Sequence, residues 1–87
     1  MKFQWDVGNE QKCRKHGVST AEIEHVILEG TIEPDMSHSN EEQRLTARGR
    51  TATGRAVFAV FTIRDEEIRP SSARFMHAKE LRRHGSA

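Results

Sequence analysis

Thiol chemistry is almost missing from this chain, whose only cysteine is Cys13. A lone cysteine excludes an internal disulfide, and with it the small secreted scaffolds that depend on such staples. Within an expected helix, Cys13 reads as a small buried apolar residue rather than a reactive thiol. No apolar run approaches the ~20 residues of a membrane span, and Met1-Lys2-Phe3-Gln4-Trp5-Asp6 lacks the form of a signal peptide. The expected location is therefore the cytoplasm, away from membranes. Repeats, linkers, low-complexity tracts, glycine-rich phosphate loops and paired nucleophile motifs are absent as well. What remains is 87 residues, enough for one domain over 1–87. A domain this short buries only ~60–65% of the surface its unfolded chain exposes, so its core is expected to be small.

The net charge of +1 argues at first against a nucleic-acid binder. Its distribution argues the other way. Acidic residues concentrate in Asp6–Glu42 and in the Asp65-Glu66-Glu67 turn, whereas Gln43 to Arg64 contains no acid but carries Arg44, Arg48, Arg50, Arg55 and Arg64. Arg69 and Arg74 follow. Arginine outweighs lysine here, and its planar fork suits bidentate contact with phosphate oxygens. Solvation of a sheet surface is the plainer reading of the same residues.

Phe3 and Trp5 alternate with polar neighbours, which predicts a short first strand. A helix is expected over about Asn9–His16, stopped by a left-handed Gly17 with Lys15 and His16 in its last turn. The next start is the strongest local signal: Ser19 as N-cap, Glu22 completing a capping box, and Val18 stapled to Ile23. Ile23, Val26 and Ile27 form its apolar stripe, and Gly30 ends it. Pro34–Glu42 reads as an exposed loop containing a solvated His38. From Gln43, Leu45 and Ala47 alternate with Arg44, Thr46 and Arg48, predicting a half-buried strand with a basic face. After a turn over Gly49–Gly54, the apolar run Ala56–Ile63 has the composition of a central strand buried on both faces. Asp65-Glu66 turns into a strand over Glu67–Arg74, which Pro70 places at an edge or a bulge. A last helix is expected over Met76–His84. The fold class is α+β, a small antiparallel sheet that includes a three-stranded meander, with helices packed on one face.

Three stretches, Phe3-Gln4-Trp5-Asp6, Arg14-Lys15-His16-Gly17-Val18-Ser19 and Ser71-Ser72-Ala73-Arg74 running into Phe75-Met76-His77-Ala78-Lys79-Glu80, stand in a telling order. Between them lie Glu42-Gln43-Arg44 and Gly54-Arg55. In this order and spacing the chain resembles the BrnT toxins, over nearly its whole length. No one motif is specific, but the ordered set is. The resemblance implies a RelE-like fold and an RNA-cleaving toxin of a type II toxin–antitoxin system. It also implies a BrnA-like ribbon-helix-helix antitoxin that binds the toxin and represses the shared operon, so that operator DNA is met only through that partner. Two departures stand out. Ser71 occupies a position that is usually apolar in the family, and the tail after Arg83 is short and lacks the terminal aromatic of relatives.

Metal-free RNA cleavage needs a base for the 2′-hydroxyl, cations for the phosphorane and an acid for the leaving 5′-oxygen. Proton-transfer groups contribute typically ~10²–10⁴-fold, and a preorganised cation acts on the charge developing in the transition state. His16 and His77 are the candidates for proton transfer, with Arg55 and Arg74 as electrostatic stabilisers. Lys15, Arg44, Arg50 and Lys79 are the candidate RNA phosphate ligands. Four of these have a structural alternative. His16 sits where a helix C-terminus favours a cation, Arg74 could pair with Glu80 or Glu42, Lys79 could be solvated, and His77 could pack on the sheet. His77, Glu80 and His84 share a helix face, but the spacing is common and no fourth ligand accompanies them, so neither metal nor cofactor is expected.

The leading expectation is a metal-independent endoribonuclease that inhibits translation and growth and is neutralised by its antitoxin. One alternative is a non-catalytic RNA-binding module, disfavoured because the phenylalanines read mostly as core while single-stranded RNA is usually held on aromatic platforms. Another is a co-repressor that only scaffolds the antitoxin. The chain has no DNA-reading motif of its own. Apolar surface meant for a partner would favour a homodimer or a toxin–antitoxin hetero-oligomer.

Overall fold

The computed structural model describes residues 1–35 and 43–84, with backbone only for residues 83 and 84. His38 and Glu42 lie outside the described residues. In chain order the elements are β1 (Lys2–Phe3), α1 (Val7–Arg14), α2 (Thr20–Glu29), β2 (Thr31–Pro34), β3 (Arg44–Arg50), β4 (Ala56–Arg64), β5 (Glu67–Phe75) and α3 (Ala78–His84). The strands form one five-stranded sheet in the order β1-β5-β4-β3-β2. Consecutive strands from β2 to β5 run antiparallel, while β1 joins β5 in parallel. This is the expected α+β class, with the central meander extended by one strand at each edge. The first of these, β1, is the short strand expected around Phe3, whereas β2 has no local signature and takes in Pro34, where the sequence predicts the start of a loop. β1 pairs through two residues only, and β2 is exposed throughout.

The first helix, expected over about Asn9–His16, both begins and ends two residues earlier, at Val7 and Arg14. Asp6 is its N-cap, accepting from the Asn9 amide at 3.0 Å, while the Asn9 side chain accepts from the Asp6 amide at 2.7 Å. This Asp-x-x-Asn version of a capping box satisfies orphan donors at the helix start. The same Asn9 is buried, and its Nδ2 donates to the carbonyls of Gln4 at 2.9 Å and Pro70 at 3.0 Å. Helix α1 is thereby pinned along the outer edge of β5, where β1 has already ended. Helix α2 follows its sequence signals, with the Ser19–Glu22 capping box formed in both directions and Val18, Ile23 and Val26 almost fully buried. Gly17 takes the left-handed conformation at φ 88°. Gly30 ends α2 for a different reason, since a Cβ there would lie 2.4 Å from the Arg48 carbonyl oxygen and 2.5 Å from that of Val26.

Beneath α1 and α2 the sheet presents Ala47, Val57, Ala59, Phe61, Ile68 and Ala73, joined in one core with Cys13, Val18, Ile23, Val26 and Ile27. Ala47, Ala59 and Ala73 are register partners across the three central strands. This row of small side chains leaves room for the larger aliphatics of the helices. Burying each such aliphatic contributes ~1.5–3 kcal/mol. The β3–β4 turn is shorter than expected because β3 continues through Arg50. The β4–β5 turn is a two-residue loop, with Asp65 and Glu66 both at positive φ (52° and 64°), as the twist of a tight hairpin requires. β4 is central as its composition predicts, although Ile63 near its end is exposed.

Pro70 coincides with an irregularity in β5. Val60 pairs with Ser72 and Phe61 with Pro70, so Ser71 is an extra residue, whose hydroxyl donates to the Val60 carbonyl at 3.2 Å. The polar residue at this usually apolar position is therefore used in a bulge. Pro70 and Ile68 both direct their carbonyls outward, to Asn9 and to the Gln4 amide. The missing Pro70 N–H thus falls on the outer side, and no bond to β4 is lost. The bulge also reverses the alternation. Ile68 and Pro70 before it, and Ala73 after it, are buried on the core side, while Arg69, Ser72 and Arg74 turn to the other face.

Candidate functional site

On the face opposite α2, strand register sets polar and basic side chains in rows. Arg48, Phe58 and Arg74 form one row, Thr46, Val60 and Ser72 the next, and Arg44, Thr62 and Arg69 a third. Along the β5 edge, α1 contributes Gly8 and Lys12, and the turn after it brings His16, a spacing that keeps all three on one side of the helix. Each surface arginine of these rows is tied to a carboxylate from elsewhere in the chain. Arg44 lies 3.8 Å from Asp35, Arg48 pairs with Glu33, and Arg69 lies 2.9 Å from Asp6. Charge segregated along the sequence is thus interleaved in space.

Arg74 is held most firmly. Its two terminal nitrogens donate to the two oxygens of Glu80 at 2.6 and 2.7 Å, and its guanidinium carbon lies 5.0 Å from the centre of the Phe58 ring. Glu80 in turn accepts the His77 backbone amide at 2.9 Å, while the Leu81 amide donates to the His77 carbonyl. His77 is thereby the N-terminal cap of α3, and Glu80 closes half of a capping box. The Arg74 fork and the His77 amide hold the Glu80 carboxyl down at about 2, and Glu80 raises the Arg74 guanidinium further. Beside this pair, His16, Phe58, Ser72, Ala73 and Arg74 line a cleft of about 120 Å³. An imidazole, a hydroxyl and a planar cation thus meet in one place.

Residues 5–80 match the family model described as the ribonuclease toxin, BrnT, of type II toxin–antitoxin systems. The chain belongs to the BrnT family. The match runs from Trp5 through all four antiparallel strands to Glu80 itself, so it includes every residue of the cleft. No curated protein matches the chain.

Within this BrnT-family chain the sequence-predicted residues separate. His16 and Arg74 share the cleft, and His77 adjoins it through its amide on Glu80. Of the two partners foreseen for Arg74 as a structural alternative, Glu80 is engaged, and Glu42 lies outside the described residues. Arg55 does not join them. Its guanidinium carbon sits 3.5 Å from the centre of the Phe75 ring, and Phe75 pairs with core-facing Val57 on the helix side of the sheet. Arg50 donates to the Gly54 carbonyl at 2.8 Å, bracing the β3–β4 turn. Lys15 caps the end of α1 and is exposed, Lys79 is exposed on α3, and Arg44 borders a second cavity with Lys12, Arg64 and Arg69.

Three contributors escaped the sequence reading. Phe58 sits in an almost unbroken apolar run, so nothing local marks it as facing away from the core. Ser72 changes face only because of the bulge at Ser71. Lys12 had a readable signal, since it stands four residues before His16.

Proposed function

We propose that this chain is a metal-independent endoribonuclease that cleaves RNA at the His16–Arg74 cleft and so arrests translation and growth. The observation that carries this reading is the Arg74 fork, which presents two parallel N–H donors to a pair of oxygens beside an imidazole. Glu80 fills that position, and two non-bridging phosphate oxygens have the same donor-accepting geometry. An RNA phosphate entering the cleft exchanges with the Glu80 carboxylate. The 2′-oxygen then attacks the adjacent phosphorus and the bond to the 5′-oxygen breaks, leaving a 2′,3′-cyclic phosphate and a 5′-hydroxyl. Arg74 stabilises the extra negative charge of the phosphorane. His16 moves a proton at the 2′- or 5′-oxygen, with His77 as the second candidate group. Glu80 is too weak a base for that task, because the arginine keeps it ionised far below neutrality.

Lys15, Arg44, Arg50 and Lys79 remain candidates for holding the strand outside the cleft, and Arg55 is best read as a support for Phe75. The antitoxin is proposed to be a BrnA-like ribbon-helix-helix protein that alone reads operator DNA, and the complex is placed in the cytoplasm. No described helix is long and apolar enough to cross a membrane.

The test is digestion of RNA in chelator by purified protein freed of its partner, with ends analysed for 2′,3′-cyclic phosphate. Cleavage lost in Arg74→Ala and His16→Ala, with folding retained, supports the reading. Intact RNA after prolonged incubation with folded wild-type protein overturns it. A non-catalytic RNA-holding role gains one supporting observation, the aromatic ring of Phe58 on the basic face. On that reading Arg74→Ala lowers affinity and salt sensitivity alone, with no turnover to lose.

A further inference from the structure

Farther along the same face lies a larger cavity, about 340 Å³, between α1 and strands β3–β5. Its wall consists of four cations, Lys12, Arg44, Arg64 and Arg69, and the hydroxyl-bearing Thr62, Ser71 and Ser72. Among the described residues no carboxylate lines it. A wall made only of cationic and hydroxyl donors matches an oxyanion with several acceptor oxygens, which is the chemistry of a phosphodiester. Arg69 is fixed for such a role from behind, with Asp6 at 2.9 Å and Gln4 Oε1 at 3.2 Å. Asp6 also caps α1, the helix that carries Lys12. Lys12 itself makes no ion pair among the described residues. Among the described residues its ammonium thus has no carboxylate to exchange when an anion enters.

Ser72 lines both this cavity and the Arg74 cleft, so the two are contiguous. They are nonetheless too far apart to share one phosphate. Phe58 in the cleft and Thr62 in the cavity stand four residues apart on β4, roughly 13 Å at the usual strand rise. A ligand filling both must carry anionic groups repeated along a chain.

We infer that the Lys12–Arg64–Arg69 cavity is a second phosphate subsite, which holds a neighbouring backbone phosphate of the same RNA strand while Arg74 holds the scissile one. The inference rests on the proposed ribonuclease reading for the second position only, because binding of a polyphosphate strand can be measured without turnover. It makes the minimal good substrate longer than a dinucleotide and runs the strand along β5, beside α1.

Lys12→Ala and Lys12→Glu are suited to the test because Lys12 is exposed, so neither substitution disturbs the core. Binding of a fluorescent 2′-O-methyl RNA dodecamer, which cannot be cleaved by 2′-oxygen attack, is followed across salt concentrations. Lys12→Ala is expected to weaken binding about ten-fold, as for loss of a charge-assisted hydrogen bond, and to lower the salt slope by about 0.7. Lys12→Glu should weaken it further. In cleavage, the penalty on an unmodified dodecamer should exceed that on a dinucleoside monophosphate. Unchanged dodecamer affinity and salt slope in both variants overturn the subsite, as does an equal penalty on short and long substrates. Variants that lose antitoxin affinity but keep the dodecamer also overturn it, and reassign the cavity to a carboxylate of the protein partner. If wild-type protein binds the dodecamer through Lys12 yet cleaves nothing, the subsite stands and the ribonuclease reading fails.

Discussion

The two faces of the sheet are held together by different kinds of interaction. Under α1 and α2, Ala47, Val57, Ala59 and Ala73 are buried to within a few per cent and meet aliphatic side chains only a few ångströms away. Space is the limiting quantity there. On the open face, arginines are met by carboxylates carried in from distant segments, Asp6, Glu33, Asp35 and Glu80. These pairs are half-buried and still reached by solvent, and surface ion pairs contribute only ~0–1 kcal/mol each, so the open face can exchange partners at small cost to the fold. One face thus supplies the stability, and the other carries ion pairs between distant segments.

The largest effect expected is on the covered face. Gly30→Ala places a methyl against two backbone oxygens that cannot swing aside, so β3 and α2 must separate. A loss of about 3 kcal/mol or more is expected, at the high end of overpacking costs, which lowers Tm by roughly 12 °C or more in a domain of this size. A Tm within a few degrees of wild type in a calorimetric scan would show that the α2–β3 approach is not close after all.

The open face should give the opposite result. Arg74→Ala is expected to lower RNA turnover by ~10²–10³-fold, the range for removing one preorganised donor to a developing oxyanion, while Tm moves by only a few degrees. Equal losses of activity and stability would erase the distinction between the faces.

Cys13 sharpens the covered side. Burial pushes its thiol up to about 11, so the neutral form is the one compatible with the fold. That contribution to stability is complete below the ordinary thiol range and is lost as pH rises toward about 11. Labelling by a thiol reagent at neutral pH should therefore follow global unfolding. Cys13→Ser, which puts a hydroxyl in the same apolar site, should cost ~1–3 kcal/mol in denaturant titrations.

The smallest effect concerns the Arg74–Glu80 pair. A depressed carboxyl favours the folded arrangement above the ordinary glutamate range, and the benefit fades as pH falls toward about 2. Protection of the His77 amide from hydrogen exchange should persist through mildly acidic pH and disappear only near that value. Loss of protection near pH 4.5 would mean that the fork does not hold Glu80 in solution.

Legibility in the sequence followed the range of the interactions involved. The start of α2 was readable because Ser19, Glu22, Val18 and Ile23 satisfy one another within five residues. The cap of α1 is equally local but written as Asp6 and Asn9, a less familiar pair that hides where the helix starts. The composition of β4 announced a central strand, yet the same apolar run concealed that Phe58 faces the cleft. In sequence Arg55 and Arg74 read alike, as candidate electrostatic stabilisers; the fold places them on opposite sides, one over Phe75 and one over Phe58.

By itself the sequence determined the α+β class, the capped α2, the central strand and the BrnT family, because each depends on hydrogen bonds, periodicity or motifs confined to short stretches. Only the tertiary structure decided which face Arg74 occupies. Strict alternation from Ile68 would have turned it into the core, and the extra residue at Ser71 turns it outward. It also decided which acid meets which arginine, through long-range pairs such as Arg69 with Asp6. Such pairings depend on strand register and on where α1 is pinned, and no local stretch of chain contains that information.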